Sequence, residues 1–172
     1  MSPTGVATVS CVGPSLSLVR VLALVGGLSI VASFFMPWFG SQGLLLSGQF
    51  LHSFLGSASA NDLRRFLPSS SPTEVQMLRL LVDLFPACGL LAAAAALVGG
   101  LTSNGRAVAN TVCGLFGLIP LLAWAVGIGR LPPGSSFEVG LWVIAGGSLA
   151  VLLGVALEVW ATRRPSVVAE RL

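Results

Sequence analysis

Four long apolar runs organise the chain: residues 21–39, 80–101 with one interruption at Asp83, 107–129 and 139–157. Each is close to the roughly 20 residues that an α-helix needs to cross about 30 Å of hydrocarbon. None alternates in polarity as a membrane-spanning strand would. The pattern predicts a single-domain, all-α integral membrane protein with four transmembrane helices, over approximately residues 18–39, 78–102, 107–129 and 138–161. A long, partly helical first loop on the extracytoplasmic side, residues 40–77, separates the first two spans.

That loop does not become polar where the first span should reach water. Within it, Leu46, Phe50, Leu51, Phe54 and Leu55 fall on one face of a short helix. This face is expected to cover the start of the second span and to serve as a partner-facing surface. A second short helix is expected in "NDLRRFL", residues 61–67. Next, "SPTE" at residues 71–74 fits a capping box with Ser71 as N-cap and Pro72 in the first helical position. A helix running from there to Leu101 would be about 45 Å long, roughly 15 Å more than the hydrocarbon requires. "TSNGR" predicts a tight turn between spans two and three, with Asn104 and Gly105 free to take positive φ. In "RLPPGSSFE", Pro132 and Pro133 stop the third span, and Ser135 or Ser136 is positioned to cap the fourth.

Composition agrees with the pattern. The chain is 55% hydrophobic and only 9% charged, with a mean hydropathy of +0.94, whereas soluble domains are about a quarter charged. Residues 1–19 lack Lys and Arg, and the run from Val21 is longer than a signal-peptide core, so the first span is expected to remain. All basic residues are arginines. Arg20, Arg106, Arg163, Arg164 and Arg171 would share one side, and Arg64, Arg65, Arg79 and Arg130 the other. The Arg163–Arg164 pair directly after the last span favours a multi-pass protein of the cell (inner) membrane with both termini in the cytoplasm. The net charge of +3 comes from these flanking arginines and gives no reason to expect a nucleic-acid partner.

Gly146, Ala150 and Gly154 recur at four-residue steps and predict a close-packing face on the fourth span. Asp83 lies one turn after Arg79, which predicts an interfacial ion pair, with an ion or proton site as the alternative. Glu158 reads as a boundary residue beside Trp160 and Arg163. His52 is the only histidine and a weak ligand candidate for an axial metal or a pigment. Cys11, Cys88 and Cys113 have no CxxC spacing, and no Gly-rich phosphate loop, HExxH or GxSxG occurs. No catalytic residue, metal site or cofactor is therefore predicted. The expected role is an accessory or scaffolding subunit in contact with membrane lipids and other integral membrane subunits. The alternatives are a small transporter or channel using Asp83, and a subunit that contacts a pigment or quinone.

Overall fold

The computed structural model describes residues 18–41, 44–58, 72–101, 105–128 and 136–163. Their elements run α1 (Leu18–Ser33), β1 (Pro37–Ser41), β2 (Leu44–Ser47), α2 (Gly48–Ser57), α3 (Pro72–Leu101), α4 (Arg106–Ile128), β3 (Ser136–Phe137) and α5 (Val139–Arg163). Helices α3, α4 and α5 are long and apolar enough to cross a membrane, and α1 is a shorter apolar helix. The apolar helices α1, α3, α4 and α5 close into a ring. α1 packs against α3 and α5, and α4 packs against the same two from the other side.

The ring is held by small residues at heptad-like spacing. On α5 the inward positions are Gly140, Ile144, Gly147, Val151, Gly154 and Glu158, alternating four and three apart; the first five are buried. On α3 they are Val82, Phe85, Gly89, Ala92, Ala96 and Gly99, again a three-four alternation and all buried. That spacing keeps one seam of a helix facing its neighbour over its whole length. α1 meets both neighbours through the consecutive residues Gly26 and Gly27. A Cβ on Gly26 would lie 2.6 Å from the Gly147 carbonyl oxygen, and one on Gly27 would lie 2.8 Å from that of Gly89. The reverse holds too: a Cβ on Gly147 or Gly89 would lie 2.7 Å from the carbonyl oxygen of Gly26 or Gly27. Where the hydrophobic effect gives helices little reason to associate, such backbone approach is a main source of attraction.

The packing face expected on the fourth span is therefore corrected. Gly154 does lie inside, with the position of its missing Cβ 2.9 Å from the Val19 carbonyl oxygen. Gly146 faces outward with nothing within 4 Å, and Ala150 is only half-buried. The buried partner of Gly154 is Gly147, seven residues earlier rather than eight.

The first span is also corrected, within a chain that is mostly helical as expected. Helix α1 stops at Ser33, well short of residue 39. The amides of Phe34, Phe35 and Met36 close its end by donating hydrogen bonds to the carbonyls three residues back, at 3.0–3.1 Å. Pro37, which has no amide hydrogen, cannot extend the helix. The chain then forms a three-stranded antiparallel sheet in the order β2-β1-β3, with Phe39 opposite both Leu46 and Phe137. The sheet and α2 sit at the end of the bundle where α1 ends and where α3 and α5 begin; this is the capped end.

Trp38 is the keystone of that cap. Its side chain is 2% exposed, and its indole Nε1–H donates to the Ser33 carbonyl at 2.7 Å, joining the Met36 amide on that oxygen at the end of α1. Gly48 and Gly140 clamp the ring on opposite sides: a Cβ on either would come within 2.6 Å of it. Phe85 meets the ring edge-on at 5.3 Å. Replacing Trp38 with Phe keeps most of the apolar bulk and leaves the Ser33 carbonyl with the Met36 amide alone, so the expected cost is that of one lost hydrogen bond, about 0.5–1.5 kcal/mol. A thermal-unfolding midpoint in detergent equal to that of the unsubstituted protein would show that the indole bond contributes nothing.

Candidate functional site

Two polar pairs mark opposite ends of the bundle. At the end where α1 begins and α5 finishes, Arg20 Nη2 donates to Glu158 Oε1 at 2.5 Å, with side chains 6% and 13% exposed. Arg20 occupies the first turn of α1, and Glu158 continues the inward seam of α5 four residues after Gly154. The guanidinium also reaches α3, where Gly99 makes room for it; a Cβ there would sit 2.8 Å from Nη1. A cavity of about 10 Å³ adjoins the pair, lined by Arg20, Asn110, Cys113, Gly154 and Glu158 among others. That is space for about one water molecule. Cys113 points its thiol at the Ala92 carbonyl, 3.3 Å away, tying α4 to α3 beside the pair. Glu158 is thus an internal clamp across the ring, a correction to its reading as a boundary residue. Sequence reasoning missed its partner, 138 positions away.

At the capped end, His52 on α2 and Asp83 on α3 form the second pair. The Nδ1–H of His52 donates to Asp83 Oδ1 at 2.5 Å, with side chains 48% and 43% exposed. The ionised carboxylate can only accept, so the ring proton on this side belongs to Nδ1. Asp83 therefore pairs with His52 and not with Arg79, as the one-turn spacing had suggested. Arg79 is exposed and reaches instead toward Gly56 of α2, with Nη2 3.8 Å from the position of a Cβ there.

Helix α2 is set by its own cap. Ser47 Oγ accepts from the Phe50 amide at 3.1 Å and starts the helix at Gly48, so Leu46 lies in β2 and not on the helix where its spacing had placed it. Of the remaining face, Leu55 is buried, and Leu51 and Phe54 pack beside it against a cluster with Trp38, Val82, Phe85, Leu141 and Ile144. Phe50 stacks on Phe54 with ring centroids 5.9 Å apart and is 48% exposed. The face that sequence assigned to a partner thus divides: Leu51, Phe54 and Leu55 serve the fold, while Phe50 remains at the surface with Leu45 and Phe35, which are 64% and 62% exposed.

The segment 61–67 and the capping residue Ser71 lie outside the described residues, as do Asn104 and Ser135. Helix α3 does begin at Pro72, and it runs through Pro86 as α4 runs through Pro120. Ser136 belongs to β3 and donates to Glu138 Oε1 at 2.7 Å, so it does not cap α5. The backbone carbonyl of Glu138 accepts from the Leu141 amide at the start of that helix. Among the described residues, no group of three His, Cys, Asp or Glu side chains comes together as a metal site. No family model, no curated protein and no solved structure matches the chain.

Proposed function

We propose that this chain is an accessory or scaffolding subunit of a larger membrane assembly and carries no catalytic activity of its own. In this reading α1, α3, α4 and α5 all span the cell (inner) membrane, both termini lie in the cytoplasm, and the sheet with α2 forms an extracytoplasmic cap. The exposed trio Phe35, Leu45 and Phe50, carried on an otherwise tightly packed cap, is the observation that supports it. Apolar side chains held outward on a rigid support are what a docking surface requires. The reading as a transporter through Asp83 has less support, because that carboxylate is engaged by His52 at the rim.

Purification in mild detergent from the membranes of the native host tests the proposal. The protein is expected to migrate with other integral membrane polypeptides in a fixed ratio, and Phe50→Ser with Leu45→Ser is expected to release it still folded. An isolated protein that supports Asp83-dependent ion flux in proteoliposomes would replace this reading with the transporter one. Orientation is tested separately. A cysteine introduced at Ser57 should react with an impermeant thiol reagent in intact cells, and one introduced at Ser103 should not.

A further inference from the structure

The end of the bundle opposite the cap carries positive charge that the fold leaves uncompensated. Arg106 opens α4 and Arg163 closes α5, and both side chains are exposed. The two helices run in opposite directions and meet where a Cβ on Gly114 would lie 3.9 Å from Val155 Cγ1. Arg106 lies eight residues back along α4 from that contact, and Arg163 eight residues onward along α5. At 1.5 Å per residue both are about 12 Å further toward the same end, which brings two guanidinium groups to one level on neighbouring helices. Among the described residues Glu158 is the one carboxylate at this end, and it turns inward to Arg20. Two like charges so placed favour an anion that can bridge them, and the planar fork of arginine matches a phosphate.

The surface that continues from these arginines toward the middle of the bundle is apolar. Trp160, one turn before Arg163 on α5, is exposed, as are Leu157 and Leu153 behind it and Val108 on α4. The seam between the helices also loosens toward this end: a Cβ on Gly117 would come within 2.9 Å of Val151, whereas one on Gly114 would reach only Val155, at 3.9 Å. This order of cation, indole and exposed apolar side chains matches an amphipathic ligand with a phosphate head, while a free phosphate would use the arginines alone.

We propose that an anionic phospholipid of the adjoining leaflet binds here, its phosphate bridging Arg106 and Arg163 and an acyl chain running past Trp160 along α5. The site rests on the reading that α4 and α5 span a membrane, and it lies at the opposite end of the bundle from Phe50.

Native mass spectrometry of the full-length protein in mild detergent, titrated with phosphatidylglycerol or phosphatidylcholine, tests the site. One phosphatidylglycerol is expected to be retained in preference to phosphatidylcholine. Arg106→Gln and Arg163→Gln should each weaken that retention about five-fold, and Arg79→Gln at the capped end should leave it unchanged. Circular dichroism of each variant checks that the fold is kept. Equal retention of the two lipids, or undiminished phosphatidylglycerol binding in the double variant, would overturn the proposal. Binding of water-soluble glycerophosphoglycerol as tight as that of the lipid would overturn it too, because the arginines would then hold a free phosphodiester. Alkaline carbonate extraction of membranes separates this failure from that of the spanning reading. A released chain would overturn both, whereas a retained chain without lipid preference would lack only this site.

Discussion

Replacing Arg20 alone with leucine should destabilise the bundle by about 3–5 kcal/mol, because it leaves the Glu158 carboxylate buried without its partner. Glu158→Leu should cost a similar amount by stranding the guanidinium, whose side chain is 6% exposed. The double variant is expected to recover most of the loss, since two apolar side chains in this space bury no charge. The coupling energy of the cycle, read from detergent unfolding of the four proteins, should therefore be large and favourable. Additive losses would mean that the two side chains do not act as a pair. The recovery matters for interpretation: a purely structural clamp can be replaced by packing, whereas a charge needed for activity cannot.

The second large effect separates two neighbouring glycines. Gly147→Leu forces a side chain into the Gly26 carbonyl, 2.7 Å from its first carbon. The backbones must separate, with an expected cost of about 3 kcal/mol or more. Gly146→Leu places the same side chain in open space and should change stability by less than about 0.5 kcal/mol. Gly26→Leu and Gly89→Leu should behave like Gly147→Leu, because each occupies one half of a reciprocal glycine contact on α1. Tolerance of leucine at 147 together with loss at 146 would mean that α5 is rotated by about one residue from the arrangement described here.

How much of this was legible in the chain depends on the distance over which each feature is decided. The start of α3 is local. Pro72 at a first helical position, followed by an uninterrupted apolar run, marks it without reference to the rest of the protein. The end of α1 is not. Residues 34–39 are as apolar as the helix before them, since a strand buried under a cap and a helix in lipid both require apolar side chains. Only Pro37 distinguishes the two, and it reads equally well as a kink near the end of a span.

The face of α5 was misread for a related reason. The helix is apolar all round, so no polar side identifies the opposite one. A rule of four selects Gly146, Ala150 and Gly154, while the seam that is buried follows the alternation of four and three. The consecutive Gly26 and Gly27 were a usable signal, because two adjacent glycines in a span can offer close approach to two different neighbours. Asp83 illustrates the limit of local rules. Arg79 is the partner that helix geometry offers, but docking of α2 brings in His52 from 31 positions away.

In the proposed role the capped end docks another membrane polypeptide through Phe50 and its exposed neighbours. Incorporation of a photoreactive benzoylphenylalanine at position 50, followed by irradiation of native membranes, tests this docking. Cross-links from position 50 to one distinct membrane polypeptide are expected, while the same probe at Leu149, on the exposed outer face of α5, should yield lipid adducts alone. Lipid adducts alone from position 50, or cross-links that stay within this chain, would contradict it.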